Sequence, residues 1–89
     1  MKINVYSIKD TKTAFMSPMF QHSDDTCLRD LKFTLNEGFN SQNFICRNFR
    51  DCELWQLGSF DDITGELVPE LRFVARLQDL KEGASNGTC

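Results

Sequence analysis

Residues 52–76, CELWQLGSFDDITGELVPELRFVAR, decide how this chain folds. From Cys52 to Ser59 the side chains alternate, with Glu53, Trp55 and Leu57 on one side and Cys52, Leu54 and Gln56 on the other, which is the period of a strand. Phe60-Asp61-Asp62-Ile63-Thr64-Gly65 then has turn chemistry: an Asp side chain can cap the reversal and Gly65 can take positive φ. After Pro69 alternation resumes, Leu71, Phe73, Ala75 and Leu77 against Glu70, Arg72, Val74 and Arg76. The segment reads as a β-hairpin. Phe73, Leu77 and Leu80 are also spaced i, i+4, i+7, so residues 76–81 stay open between strand and helix.

Residues 2–9 also alternate, Ile3, Val5 and Ser7 against Asn4, Tyr6 and Ile8, and form a first strand. The polar run at 9–13 predicts a turn into a second strand near residues 13–20, and Pro18, lacking an N–H, makes that strand an edge or breaks it. Between the hairpins, Ser23-Asp24-Asp25 is a helix start, because the side chains can accept from orphan N–H groups and the acids suit the positive end of the dipole. Cys27, Leu28, Leu31 and Leu35 follow at helical spacing, and Gly38 supplies a left-handed stop, predicting a helix over 24–37. Phe33 lies about 140° from Leu28 on that wheel, beside Arg29 and Glu37, aimed at solvent or a partner. Residues 39–50, irregular and rich in Asn, read as a long loop.

The expected architecture is a single small α+β domain over 1–81. Two β-hairpins form a mainly antiparallel sheet with one helix packed on it, and residues 82–89 form a disordered tail. Ile3 or Tyr6, Phe20, Leu28, Leu31, Leu35, Trp55, Phe60 and Phe73 are the expected core, with Trp55 between sheet and helix.

Composition narrows the function. The 89 residues carry 10 Lys and Arg against 13 Asp and Glu, a net charge of -3. That balance argues against holding duplex DNA by charge alone, so any nucleic-acid role rests on a local patch. The N-terminus has no continuous apolar stretch of signal-peptide type, and no apolar run reaches the length of a membrane span; the expectation is a cytoplasmic protein that does not engage a membrane. Cys27, Cys46, Cys52 and Cys89 are accordingly read as reduced thiols, and the Asn86-Gly87-Thr88 sequon as chance.

Catalytic and metal chemistry find little support. There is no CxxC pair, so a zinc site would need Cys27, Cys46, Cys52 and His22 to converge by accident of fold. Asp61, Asp62 and Glu66 lack the spacing of a calcium loop and read as a solvated turn, and no phosphate-binding glycine loop is present. His22 and Cys27 flank a helix start that could activate a thiol, but Cys27 falls at the edge of the apolar helix face and reads as core. The chain is expected to be non-enzymatic, with no catalytic residue, metal or cofactor.

One stretch, residues 43–50 (NFICRNFR), is both basic and aromatic. Single-strand binders combine cations that follow the backbone with rings on which bases stack, and Phe44, Arg47, Phe49 and Arg50 have that chemistry, with Lys9 and Lys12 as neighbours for the backbone. The same composition suits a loop whose two Phe anchor it to the core while its two Arg point to water. Arg29 and Phe33 form a second candidate, a protein interface, because an exposed aromatic can anchor a partner or a second copy of the chain.

The opening MKINVYSIKDTKTAFMSPMF, the helix start SDD and above all WQLGSFDDITGEL carry a family resemblance. In the last of these, Gly58, Phe60, Asp61, Thr64, Gly65 and Leu67 fit a G-x-F-D-x-x-T-G-x-L pattern. Over residues 1–80 the chain resembles the small non-structural protein of the gokushoviruses, single-stranded-DNA phages of the Microviridae. The loop between Phe39 and Cys52 departs most from that family. The resemblance implies a phage early protein, absent from the virion and acting in the host bacterial cytoplasm. Its implied role is in the switch from duplex replication to single-strand synthesis and DNA packaging. Its partners would be single-stranded DNA, or a viral replication or assembly protein, or itself.

Overall fold

The computed structural model describes residues 1–82. Four strands, β1 (Lys2–Asp10), β2 (Met19–Gln21), β3 (Cys52–Asp61) and β4 (Leu67–Arg76), make one antiparallel sheet in the order β2-β1-β3-β4. The helix α1 (Asp24–Leu35) joins the two halves. Single-turn helices α2 (Phe44–Arg47) and α3 (Leu77–Leu80) and a 3-10 turn at Phe49–Asp51 complete a single α+β domain.

Strand pleating sorts the side chains. Tyr6 and Ile8 of β1 and Cys52 and Leu54 of β3 point to the helical side, where they are buried against Cys27, Leu31 and Leu35 of α1. Cys46, Phe49, Leu77 and Leu80 close the ends of this layer. Burying one Leu of this kind contributes roughly 1.5–3 kcal/mol, so the layer holds the helix to the sheet. A polar clasp seals its margin. The Tyr6 hydroxyl donates to Asp24, and Arg72 of β4 donates through Nη2 to both Asp24 oxygens, at 2.8 and 3.0 Å, and to Gln56 Oε1.

No core residue comes from residues 57–70 on the helical side, so the end of the sheet built from 2–4, 58–61 and 67–70 runs on past the helix. The molecule is correspondingly elongated, 47 × 25 × 23 Å. In that part β3 is bulged: Gln56 pairs with Tyr6, but Gly58 pairs with Val5, leaving Leu57 as the extra residue. On its other edge Gln56 pairs with Arg72 and Gly58 with Pro69. Pro69 is tolerated because β4 is an outer strand.

Several sequence expectations are corrected. The strand expected near 13–20 is only Met19–Gln21, with an isolated bridge between Lys9 and Phe15. Pairing changes register by one residue between Lys9–Phe15 and Tyr6–Met19, and the slack is taken up around Pro18. The helix ends at Leu35 rather than 37, and Gly38 is not its left-handed stop; positive φ occurs only at Gly58 and Gly65 among the described residues. Asn36 ends the helix instead, its side-chain amide donating to the carbonyls of Lys32 and Leu80.

The long loop over 39–50 contains α2 and most of the 3-10 turn, because Asn43 Oδ1 accepts from the N–H groups of Ile45 and Cys46 and starts a helical turn. Residues 76–81 resolve into the end of β4 and then α3. The expected hairpin turn is present, with Asp61 Oδ1 accepting from Ile63 and Thr64 and Gly65 at φ 80°. The disordered-tail expectation falls, from residue 83 on, outside the described residues, as do Cys89 and the sequon.

Candidate functional site

A single twelve-residue helix is about 18 Å long and covers one face of the sheet only. No helix covers the other face, and the register places Ile3, Val5, Ser7 and Lys9 of β1 on it, opposite Phe60, Gly58 and Trp55 of β3. Val5 and Ser7 are buried there, Ser7 Oγ donating to the Met16 carbonyl, while the ring residues around them are open to solvent. Phe20 pairs with Val5, and Phe73 with Trp55. Phe20, Trp55, Phe60 and Phe73, all expected in the core, therefore gather on this uncovered side. Phe20 is 57% exposed and Phe73 43%, while Trp55 and Phe60 are half-buried.

The rings form two clusters. Trp55 sits between Phe15 and Phe73, edge to face, at centroid distances of 6.3 and 5.5 Å. Towards the far end, Phe20 meets Phe60 at 5.8 Å. The Lys9 ammonium lies 5.5 Å from the centroids of both Phe15 and Trp55, so a cation is held on an aromatic surface. Trp55 Nε1 donates to Glu53 at 3.0 Å, which fixes the indole orientation, and Arg76 is Glu53's cross-strand partner. Lys9 and Arg76 thus face one carboxylate here. Asp24, Asp25, Asp30 and Glu37 belong to the helix and its C-terminal end, away from this face. Near the bulge the surface dips into an apolar groove of about 280 Å³ along Leu57, Gly58 and Ser59 of β3, Val5 of β1 and Leu67, Val68 and Pro69 of β4.

The basic stretch at 43–50 is rearranged by its helical turns. Phe49 is only 5% exposed and belongs to the core, so it offers no face to a base; its ring is stacked by the Arg50 guanidinium at 4.7 Å. Phe44, Arg47 and Arg50 are exposed, and Phe44 lines a groove against Met16 and Met19 rather than joining the aromatic face. Lys12 lies 3.6 Å from Asp51. On α1, Phe33 is 59% exposed, and together with Arg29, Lys32 and Glu37 it borders a shallow depression.

The titratable groups with shifted pKa values lie mostly away from the open face. Burial first, then the charges of Asp30 and Asp24, pushes the Cys27 thiol up to about 11. Cys52 is likewise pushed up to about 11 by burial and by Asp10 and Asp51. Cys27, Cys46 and Cys52 are all free and buried. In the clasp, burial and the hydrogen bond to Asp24 raise Tyr6 to about 12, and Arg72 together with Tyr6 holds the Asp24 carboxyl below its usual value.

Sequence reasoning missed Phe15, Trp55 and Phe73 as surface residues. The usable signal was arithmetic of faces: a sheet with aromatics on both parities and one short helix must leave one set uncovered.

The fold and this surface define a small α+β protein with an aromatic sheet face. A family model described as Phage ORF5 protein matches residues 3–80, and the chain belongs to that family. No curated protein and no solved structure matches it. Among the described residues, no helix is long and apolar enough to cross a membrane.

Proposed function

We propose that this phage protein is a non-enzymatic regulator that engages single-stranded DNA in the host bacterial cytoplasm, during the switch from duplex replication to single-strand synthesis and packaging. One observation carries the reading: an open sheet face bearing the Phe15–Trp55–Phe73 row with Lys9 seated on it. Bases stack on such rings without sequence preference, and a neighbouring ammonium meets the phosphates. The motif resemblance to gokushovirus non-structural proteins supports the biological setting. Bases then lie on the sheet, with Arg47 and Arg50 left as backbone contacts outside the aromatic row.

The test is a titration of tryptophan emission with an oligonucleotide, since Trp55 is the sole tryptophan. Emission should quench on binding, affinity should fall with added salt, and Lys9→Gln and Phe73→Ala should each weaken it. Unchanged emission and no measurable association at low salt reject the reading. Equal affinity of the wild type and the Arg47→Ala/Arg50→Ala double variant would remove the helical-turn arginines as contacts.

A second reading, favoured by the exposure of Phe33 beside Arg29, is a module that binds a viral replication or assembly protein, or itself. Pull-down from infected cells after nuclease digestion separates the two. A viral protein that is retained, and lost with Phe33→Ser, supports the second reading; loss of every partner on digestion supports the first.

A further inference from the structure

We propose that the groove over Gly58 is a thymine-selective base site, a specificity that rests on the single-stranded-DNA reading above. The groove lies on the same face as Trp55, three residues along β3 or about 10 Å, a separation that neighbouring nucleotides of an extended strand can bridge. By register Val5, Gly58, Leu67 and Pro69 share the open side, and the bulged Leu57 adds to the wall. Its surface is almost entirely apolar.

Such a groove discriminates by what it lacks. Besides the Ser59 hydroxyl it presents no polar side chain, so the exocyclic amino groups of cytosine, adenine or guanine find at most one side-chain partner there. The thymine methyl is the one apolar projection on a DNA base edge, and apolar contact is how proteins read it. The charges at the two ends agree with this orientation. Lys9 and Arg76 stand at the Trp55 end of the face against Glu53, whereas the turn beyond the groove carries Asp61, Asp62 and Glu66 against Lys2 and the N-terminal ammonium, which lies 3.8 and 2.9 Å from Asp61 and Asp62. A phosphate is therefore drawn towards Lys9 rather than the turn, and the groove receives the neutral edge of a base. Gly58 contributes no side chain to the groove, and a Cβ there would run into the β4 backbone at Val68.

Thymidine and deoxyuridine homo-oligomers of equal length differ by the methyl alone, and a deoxycytidine homo-oligomer adds the amino group. By anisotropy of the labelled strand, the thymidine oligomer should bind about 3- to 4-fold tighter than the deoxyuridine one for each methyl seated, with deoxycytidine weakest. Leu67→Ser should bring the thymidine:deoxyuridine ratio towards one; Leu67 is 65% exposed, so the variant should melt with the wild type. Equal binding of thymidine and deoxyuridine oligomers overturns the groove assignment while leaving the single-stranded-DNA reading intact. A ratio that survives Leu67→Ser also overturns it, because a methyl that merely strengthened stacking on Trp55 would behave that way. Failure of all three oligomers to bind rejects the DNA reading, and the base site with it.

Discussion

Replacing Gly58 by Ala should be among the most damaging single-methyl changes available to this protein. A Cβ at Gly58 would stand 2.1 Å from the carbonyl oxygen of Val68, 3.0 Å from the Val68 carbonyl carbon and 3.1 Å from Pro69 Cα. Ordinary contact begins at 3.4 Å, so the overlap with the oxygen is about 1.3 Å and every atom met is backbone. No side chain can rotate away. Relief requires β3 and β4 to part at a point where the ladder is already bulged, and the φ of 156° is one that residues with a Cβ rarely adopt. Overpacking costs about 1–3 kcal/mol and an unfavourable backbone state about 1–3 kcal/mol more, giving roughly 2–6 kcal/mol for the variant. That is a large fraction of the stability of a small domain. The internal control is Gly65→Ala: a Cβ at Gly65 would meet nothing within 4 Å, and its φ is 80°, so only the conformational cost of about 1 kcal/mol applies. Urea unfolding followed by Trp55 emission measures both, read as a shift in midpoint at unchanged slope. If Gly58→Ala proves no worse than Gly65→Ala, the close approach of β3 and β4 is wrong.

Leu31→Ala should cost on the order of 2–5 kcal/mol, since Leu31 is buried between α1 and the sheet; a loss below about 0.5 kcal/mol in reversible denaturation rejects that packing. Asp24 has a folded pKa below its unfolded value of 3.8, so its clasp contributes fully above that value and is lost as the pH falls through the depressed one. Because Asp24 and Arg72 are both more than a third exposed, the contribution is only about 0.5–1 kcal/mol. Asp24→Asn should flatten the stability profile between about pH 5 and 2, and an undiminished slope refutes the assignment. Asp61, held down by the N–H groups of Ile63 and Thr64, adds a residual slope of the same sign. Cys27, Cys46 and Cys52 should label slowly with a thiol reagent at neutral pH and rapidly in denaturant, as their burial and the raised values for Cys27 and Cys52 require; fast labelling of the folded protein contradicts their placement in the core.

The hairpin at 52–76 was legible because each of its signals is local: alternation, an Asp that caps its own turn, and Gly65 at positive φ. The helix was legible from Ser23 through Leu35 for the same reason, its N-cap Oγ accepting from Thr26. Its end was not, since Asn36 is satisfied partly by Leu80, forty-four residues away. The short turn at Phe44–Arg47 was masked by Asn-rich composition that reads as loop, yet one of those Asn is the cap that starts it. The site was harder still. Alternation separates the two parities of a strand without saying which parity the helix will cover, so Phe20, Trp55, Phe60 and Phe73 were assigned to a core that only Tyr6, Ile8, Cys52 and Leu54 among the strand residues join together with α1.

The part of the sheet that runs past the helix has a thermodynamic consequence of its own. There the strands are held by their ladder hydrogen bonds and by the open-face side chains, with no second layer behind them. Its opening free energy lies well below that of the helix-backed half, so amide hydrogen exchange will run fastest from the 62–65 turn into β4 and slow abruptly near Leu54 and Tyr6. A molecule that settles on this end closes it as it binds, so part of its binding energy goes into ordering the strands and its arrival is recorded as protection of amides it never touches.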